Sequence, residues 1–148
     1  MQIRSYEERD FDGVAEVYAN AKLDELRFEA QPFVLAPLKE DAIILAAFKA
    51  SNVLVCDDNG IIGFAASVPG LLRALFVHSD ARGRGAGSAL LKAVLEKEDG
   101  PLSLNVAKSN EPAIAFYEKF GFVSDVETIR KYSDIDIVYR KMDRLRPT

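Results

Sequence analysis

Three glycines and two arginines fall within six residues of this chain, directly before a stretch with the apolar spacing of a helix. The run reads Arg82-Gly83-Arg84-Gly85-Ala86-Gly87 and leads into a helix predicted from Ser88 to Glu98. Glycine lets backbone N–H groups approach a ligand with no Cβ in the way. The first amides of a helix have no partners within it, and the helix dipole adds about half a positive charge. The run therefore predicts an anion site, most naturally for a phosphate.

Two better-known phosphate-binding loops do not fit this run. A Walker loop needs Gly-Lys followed by Ser or Thr, and no such tripeptide occurs in the chain. A dinucleotide fingerprint has the spacing G-x-G-x-x-G in the first βαβ unit, whereas this chain has G-x-G-x-G in its second half. Both loops are excluded on spacing and context.

A second group of polar residues lies downstream, on a short helix predicted from Glu111 to Phe120. Asn110 and Tyr117 are seven residues apart, close to two helical turns, so both lie on nearly one face with Ala113 between them. A phenol within hydrogen-bond reach of a leaving group can protonate or stabilise it. Taken alone, however, Tyr117 is more typical of a core aromatic.

The elements that position these groups are predicted from periodicity and turn residues. Asn59-Gly60 between two β-rich runs favours a hairpin turn, and the run at 71–77 is apolar nearly throughout, which is typical of a central strand. Pro32 interrupts any helix in its neighbourhood. The predicted order begins with a strand at 2–6, a helix capped by Asp10 or Asp12 that runs to about Ala21, and a helix at 38–50. It continues with strands at 53–56, 61–66 and 71–77, a helix at 88–98, a strand at 101–106, a helix capped by Asn110, and strands around 122–129 and 135–139. This order predicts one mixed α/β sheet of α+β type in a single domain over residues 1–148.

Composition restricts the class of protein. Of 148 residues, 49% are hydrophobic and 28% are charged, an ordinary globular balance. The net charge of −4 argues against a nucleic-acid binder, whose footprint is normally basic. No apolar run approaches the ~20 residues that cross a membrane, and the first ten residues lack a secretory pattern. The single cysteine, Cys56, excludes an internal disulfide and a cysteine-based zinc site. We expect a cytoplasmic protein that holds no metal, and we expect the Cys56 side chain to be a packing residue.

Two stretches of the sequence resemble one known family. Residues 82–87 resemble the R/Q-x-x-G-x-G/A motif of the GNAT superfamily of N-acetyltransferases, and "NVAKSNEPAIAFYEKFGFV" resembles its downstream signature N-x-x-A-x-x-F/L-Y-x-x-x-G-F. The resemblance extends from about Arg4 to Met142 and is distinctive over Leu71 to Val123. It implies transfer of an acetyl group from acetyl-coenzyme A to a primary amine in a ternary complex, without a covalent enzyme intermediate.

The resemblance also implies how the coenzyme binds. The family has a mostly antiparallel sheet with flanking helices and two splayed central parallel strands, between which the pantetheine arm enters. Tyr117 is implied to be the general acid, while Arg82 would be mainly structural and Arg84 would face solvent or the adenosine phosphate. The coenzyme-binding set is implied to be Leu75, Phe76, Val77, Arg82, Gly83, Arg84, Gly85, Ala86, Gly87, Ser88, Asn105, Asn110 and Tyr117.

The general base is not identified by the sequence. Many relatives carry a glutamate on one of the splayed strands, but residues 71–77 contain no carboxylate, and Asn105 stands where some relatives place the glutamate. An amide cannot accept a proton at neutral pH. The alternatives are a water chain or one of the acids in the expected substrate wall, namely Asp24, Glu25 and Glu29. An imidazole is the side chain best suited to gain and lose a proton near neutral pH, but a surface position in a loop is more typical of His78.

Other features leave alternatives open. Arg73, on the central strand, could hold a substrate carboxylate if it is buried, although a bulge near this point in the family leaves its direction open. Asp134 and Asp136 could attract a cationic amine. The substrate wall is expected at 22–37 and 126–136, and the acceptor itself is not identified. The rival functions are an acyl-coenzyme A-binding module without turnover and a structural homodimer that pairs through "IDIVYR".

Overall fold

The computed structural model describes residues 1–30, 36–132 and 134–145. Strands and helices follow one another largely as the sequence predicts. The strands are β1 (Gln2–Ser5), β2 (Asn52–Asp57), β3 (Ile61–Val68), β4 (Leu71–Val77), β5 (Leu102–Ala107), β6 (Val123–Tyr132) and β7 (Ile135–Arg144), and the α-helices are α1 (Phe11–Glu25), α2 (Ala42–Lys49), α3 (Ala86–Lys97) and α4 (Glu111–Lys119). Short 3-10 turns lie at Glu8–Asp10, Leu38–Glu40 and Ser79–Ala81.

The sheet has the strand order β1-β2-β3-β4-β5-β7-β6. Its neighbours are antiparallel except β4 and β5, which run parallel. That parallel pair is registered only at Leu71 with Ser103 and at Leu72 with Leu104. The two strands part beyond these residues, so the predicted splayed pair at the centre of a mixed, mostly antiparallel sheet is confirmed.

A bulge in β4 lies just before the point where the strands part. Ala66 of β3 pairs with Ala74, whereas the next residue, Ser67, pairs with Leu72. Arg73 is therefore the extra residue of β4, and a bulge of this kind bends its strand and increases the local twist. The bulge accounts for the divergence of β4 from β5 beyond Leu72.

Helices cover both faces of the sheet and bury two apolar clusters. On one face α3 and α4 contribute Leu90, Leu91 and Ile114 to a cluster with Leu104 of β5. On the other face α1 and α2 pack around Phe64 of β3 in a second cluster. The central strands are therefore buried on both sides, which agrees with their nearly continuous apolar sequence.

Several predicted element boundaries were wrong, each for a local reason. Helix α1 continues to Glu25, beyond the predicted end at Ala21, because no Gly or Pro occurs there to stop it. The helix predicted at 38–50 is broken at Asp41, whose extended backbone and side-chain bond to the Ile44 N–H start α2. Helix α3 begins at Ala86 rather than Ser88. The stretch around Pro32 lies outside the described residues.

Asp10 ties the N-terminal strand to α1 rather than capping the helix as predicted. It makes no side-chain cap bond to α1. Instead Arg4 donates to both of its carboxylate oxygens, at 2.8 and 2.9 Å, and the Glu7 N–H donates at 2.8 Å. The bonds from Arg4, with the backbone bond from Glu7, hold the pKa of the buried Asp10 carboxyl at about 2. The same guanidinium reaches Asp57 of β2 at 3.0 Å.

We expect Asp10→Asn to lower the free energy of unfolding at pH 7 by roughly 1–3 kcal/mol, because Arg4 loses its bidentate partner. Since the folded pKa of Asp10 is about 2, below the unfolded value, the carboxylate stabilises the fold above about pH 4. That stabilisation is lost as the pH falls from about 4 to 2. Urea unfolding at pH 7 and pH 2.5 measures the difference, with exposed Asp12→Asn as the control. An equal difference between wild type and Asp10→Asn at both pH values would contradict this account.

None of the helices formed by the described residues is long and apolar enough to cross a membrane.

Candidate active site

A cavity of about 450 Å³ opens where β4 and β5 part. Its wall is contributed by the end of α1, the second half of β4, the turn leading into α3, the middle of β5 and one face of α4. The residues that line it are Ala21, Asp24, Glu25, Arg27, Leu75, Phe76, Val77, Ala81, Arg82, Gly83, Gly85, Ala86, Gly87, Ser88, Asn105, Val106, Asn110, Pro112, Ala113, Phe116 and Tyr117. A cavity of this volume is in the range of small-molecule sites.

The cavity brings together nearly all of the predicted coenzyme-binding residues. All of them except Arg84 line it. The Arg84 guanidinium is half exposed and lies 3.3 Å from the Asp58 carboxylate in the β2–β3 turn. That position agrees with a residue facing solvent. The binding roles of the whole set stay predictions, since geometry places the residues but does not test what they hold.

The turn before α3 needs glycine at two of its three glycine positions. Gly83 and Gly85 both have φ of 83°, a left-handed conformation that side chains disfavour. A Cβ added at either would meet nothing within 4 Å in the described part of the chain, so conformation rather than space requires glycine there. At Gly87 a Cβ would lie 3.7 Å from Phe116 and Val77, which is ordinary contact. The turn leads into α3 with the first residues of the helix in the cavity wall, and the first amides of a helix have no partners within it.

An ion pair joins this turn to the end of α1. The Arg82 guanidinium donates to the Asp24 carboxylate and, at 3.3 Å, to the Val77 carbonyl at the end of β4. Asp24 also accepts from Arg27 at 2.9 Å. Arg82 thus holds the turn against two other walls of the cavity, which supports the predicted structural role of its side chain.

Tyr117 is both a packed aromatic and a cavity residue. Its ring makes edge-to-face contacts with Phe116 and Phe122, at centroid distances of 5.3 and 5.6 Å. Burial, with a smaller contribution from the charge of Glu25, raises the pKa of the phenol well above its usual range. The phenol is therefore protonated at neutral pH and can act as a hydrogen-bond donor or a proton donor.

Asn110 occupies the N-cap position of α4, but its side chain makes no cap bond to the helix. The prediction of a capping Asn110 was wrong in this respect. The residue is buried, and it lines the cavity together with Ala113 and Tyr117. The prediction that these three residues share one face of a helix is confirmed.

The acidic candidates for a general base occupy different places. Asp24 and Glu25 line the cavity, whereas Glu29 is not among its lining residues and instead accepts a hydrogen bond from Ser109. Asp134 and Asp136, which were expected to attract a cationic amine and not to act as the base, are both exposed, Asp134 before β7 and Asp136 within it. The structure therefore places only Asp24 and Glu25 of these five acids in the cavity wall.

His78 and Cys56 both have structural positions. His78 Nδ1 accepts a hydrogen bond from the Asp80 N–H at 3.1 Å, which caps the short turn at Ser79–Ala81. Its side chain is not part of the described cavity lining. Cys56 is fully buried in β2, and burial raises the pKa of its thiol. A buried thiol of this kind packs against its neighbours and does not act as a nucleophile.

Arg73 is exposed, which decides the direction that the sequence left open and gives no support to the alternative in which it holds a substrate carboxylate. As the bulge residue of β4 it turns away from the cavity and donates to the Ala47 carbonyl at 3.1 Å and to Ser51 Oγ at 3.2 Å. Both acceptors lie at the end of α2, where a cation is favoured.

We expect Arg73→Met to leave turnover and acceptor KM within about twofold of wild type, because the residue does not reach the cavity. The loss of two exposed hydrogen bonds is expected to cost no more than about 1 kcal/mol of stability. Steady-state kinetics with acceptors that do and do not carry a carboxylate check this. A selective rise in KM for the carboxylate-bearing acceptors would contradict it.

Sequence reasoning gave Lys22 only as the first residue of the expected substrate wall, and it missed Tyr139. The Lys22 ammonium is 2.9 Å from the Glu25 carboxylate and lies 6.0 Å from the centroid of the Phe76 ring. Tyr139 of β7 has a raised phenol pKa, chiefly through burial. The i,i+3 spacing of Lys22 and Glu25 predicts their ion pair, provided that the helix is recognised as running to Glu25.

Among the described residues no group of three or more His, Cys, Asp or Glu side chains is arranged to hold a metal ion.

The fold and the cavity define an acetyltransferase domain of the GNAT family. Residues 49–124 match the family model described as the acetyltransferase (GNAT) domain, and they make up just over half of the chain. The chain therefore belongs to this family.

Similar proteins agree with this assignment. The chain is 34% identical over 92 residues to the peptidyl-lysine N-acetyltransferase YjaB of Salmonella typhimurium, covering 59% of this chain and 63% of that protein. The matched region spans less than two thirds of the length of the curated relatives. A GCN5-related N-acetyltransferase from Rhodopseudomonas palustris has the same fold, with a TM-score of 0.80 at 18% identity over 98% of this chain and 95% of that one. The structure of yncA from Salmonella typhimurium "with its cofactor Acetyl-CoA" has a TM-score of 0.72 at 18% identity over 98% of this chain and 93% of that one.

Proposed function

We propose that this chain transfers the acetyl group of acetyl-coenzyme A to a primary amine, in a ternary complex and without a covalent enzyme intermediate. The observation that carries the proposal is the cavity between the parted strands β4 and β5, which runs from the glycine turn to Tyr117. A phosphate-binding element at one end and a buried proton donor at the other are what a thioester of coenzyme A requires. Acetyl-coenzyme A is a cosubstrate here, and the proposal includes no metal.

The coenzyme is proposed to lie along the exposed edge of β4. Where β4 has parted from β5, the backbone groups of Leu75, Phe76 and Val77 are free of that strand and can pair with the pantetheine amides as another strand would. The amides from Gly83 to Ser88 are proposed to hold the pyrophosphate, because the turn and the N-terminus of α3 converge there. Asn105 and Asn110 offer amide groups to the coenzyme from β5 and from the start of α4.

Tyr117 is proposed to be the general acid. The thioester supplies an activated acyl carbon, and the amine displaces the thiolate from it. The Tyr117 phenol, kept neutral by its buried position, donates its proton to the departing sulfur. A buried donor positioned in the cavity wall makes the thiolate a better leaving group than it is in water.

The acceptor is proposed to be an aliphatic amine of the lysine type. This follows from the relatives named peptidyl-lysine N-acetyltransferases and from the two carboxylates in the cavity wall, Asp24 and Glu25, which favour an approaching cation.

We further propose that residues 1–148 form one domain that works in the cytoplasm, where a single free cysteine is stable. A homodimer through the outer strands stays a prediction.

The test is thiol release from acetyl-coenzyme A across a panel of amines, with the N-acetylated product identified by mass spectrometry. We expect release that requires a particular amine and yields one acetylated product per thiol. Calorimetry on the same preparation measures coenzyme affinity separately. Coenzyme binding with no amine-dependent release from the small amines, polyamines and lysine peptides of the panel would contradict a transferase and favour an acyl-coenzyme A-binding module.

A further inference from the structure

Glu25 is a carboxylate of the cavity wall that has no assigned part in proton transfer. It is the last residue of α1, and its side chain is only 17% exposed. The two strands that flank the cavity, β4 and β5, carry no carboxylate. Among the described lining residues the carboxylates are those of Asp24 and Glu25. If the proton acceptor is a side-chain carboxylate and not a water molecule, it must therefore be Asp24 or Glu25.

The partners of the two carboxylates distinguish them. Asp24 accepts from the guanidinium groups of Arg27 and Arg82 and is thereby committed to holding the glycine turn. Glu25 has a single ion-pair partner within the described chain, the Lys22 ammonium at 2.9 Å from its Oε2. Lys22 itself lies outside the cavity lining, whereas Glu25 is part of it.

Glu25 also lies close to the proposed acid. Its negative charge contributes to the raised pKa of Tyr117 on α4 and to that of Tyr139 on β7. Charge effects of this kind act over short distances in a partly buried site. The end of α1 and the face of α4 thus present a carboxylate and a phenol to one cavity.

The surroundings of Glu25 already accommodate an alkylammonium group. The Lys22 ammonium lies 2.9 Å from the Glu25 carboxylate and 6.0 Å from the centroid of the Phe76 ring. A carboxylate and an aromatic face are the groups that recognise a primary ammonium ion. Phe76 lines the cavity as well, so the same pair of groups is available from the cavity side.

We infer that Glu25 binds the ammonium group of the acceptor and removes its proton, and that Lys22 positions the carboxylate for this role. The inference rests on the proposed acetyl transfer. Glu25 would take one proton from the ammonium, and the neutral nitrogen would attack the thioester carbon, forming the C–N bond as the C–S bond breaks. The sulfur would receive its proton from Tyr117, which would regain one from the nitrogen. The products are an amide, the coenzyme A thiol and one proton that Glu25 returns to solvent.

The charged and titratable groups that face Glu25 all bear on its pH dependence. They are Lys22 on its own helix, Tyr117 on α4 and Tyr139 on β7, with the Asp24, Arg27 and Arg82 group beside it. Among these residues only Asp24 and Glu25 carry a carboxylate, and Asp24 is the one that pairs with two guanidinium groups. Removal of the Glu25 charge should therefore remove the base without supplying a substitute.

The test is Glu25→Gln, assayed with the amine that wild type acetylates fastest. We expect kcat/KM at pH 7 to fall about 10²–10³-fold. In the variant kcat/KM should then rise about tenfold per pH unit up to pH 9, because only the neutral fraction of an amine with a pKa near 10 can react. Wild type should be nearly flat over that range. Glu25→Asp, which keeps the carboxylate, should restore the flat profile at a reduced rate.

Two measurements separate the ways in which this inference can fail. Glu25→Gln should keep the wild-type coenzyme affinity and stay folded at the assay temperature, with a melting temperature lowered by the lost ion pair to Lys22. Glu16→Gln, the same change on the exposed face of α1, should leave the kinetics unchanged. A Glu25→Gln variant with a wild-type rate and pH profile overturns the role of Glu25 while leaving acetyl transfer intact. Absence of amine-dependent release in wild type overturns acetyl transfer and the role of Glu25 with it.

Discussion

Tyr117→Phe is expected to lower kcat by about a hundredfold to a thousandfold while leaving the Kd for acetyl-coenzyme A within about twofold of wild type. The substitution removes one oxygen and keeps the ring that packs between Phe116 and Phe122. Folding should therefore be preserved, and the lost rate would report the missing proton donor. Pre-steady-state thiol release and calorimetry measure the two quantities on one preparation.

The matched control is Tyr6→Phe, which removes a phenol oxygen beside Phe48, at a centroid distance of 5.2 Å and outside the cavity lining. It should leave kcat unchanged. A Tyr117→Phe enzyme with wild-type kcat would show that Tyr117 is only a packed aromatic, the role that is more typical of a tyrosine taken alone. In that case the proton for the thiolate would have to come from solvent.

Gly85→Pro is expected to weaken coenzyme binding by about a hundredfold or more, a loss of about 2.7 kcal/mol or more of binding free energy. Proline fixes φ near −65°, whereas Gly85 has φ of 83° at the N-cap of α3. The turn cannot keep its path, and the amides that follow lose their common direction. Stability should fall far less, because Gly85 is exposed and lies outside the apolar clusters.

The control for strain alone is Gly60→Pro, at another glycine of positive φ, in the β2–β3 turn and outside the cavity. It should lower the melting temperature without changing the Kd for acetyl-coenzyme A. Gly83→Pro, at the same φ of 83°, should behave like Gly85→Pro. Calorimetry that gives an unchanged Kd for Gly85→Pro would show that the glycine turn does not hold the coenzyme.

The parts of the site that could be predicted are those set by local chemistry. The left-handed glycines and the helix that follows them are adjacent in sequence, and the common face of Asn110, Ala113 and Tyr117 follows from helical spacing. The hairpin at Asn59-Gly60 and the central position of β4 were likewise readable from turn residues and apolar content. In each case the physical cause lies within about ten residues of the element.

The parts that could not be predicted depend on contacts between distant segments. Arg82 and Asp24 are 58 residues apart, so no local pattern joins them. The direction of Arg73 is set by a bulge in the pairing of β3 with β4, which a single strand does not reveal. The failure of Asn110 to cap α4 has the same origin, since the cavity rather than the helix end receives its side chain.

Glu25 lies between these two cases. Its pairing with Lys22 at i,i+3 is local and required only that α1 run to Glu25, for which the absence of Gly and Pro was the available signal. Its position in the cavity wall depends on the packing of α1 beside β4, which is a tertiary contact. Sequence could therefore name Glu25 among three acids but could not separate it from Asp24 and Glu29.

The most direct measurement is a crystal structure of this chain with acetyl-coenzyme A bound. The account predicts the pyrophosphate on the amides from Gly83 to Ser88, the pantetheine arm along β4 at Leu75 to Val77, and the thioester sulfur within hydrogen-bond distance of the Tyr117 hydroxyl. A coenzyme bound outside the gap between β4 and β5, or a thioester directed away from Tyr117, would contradict it.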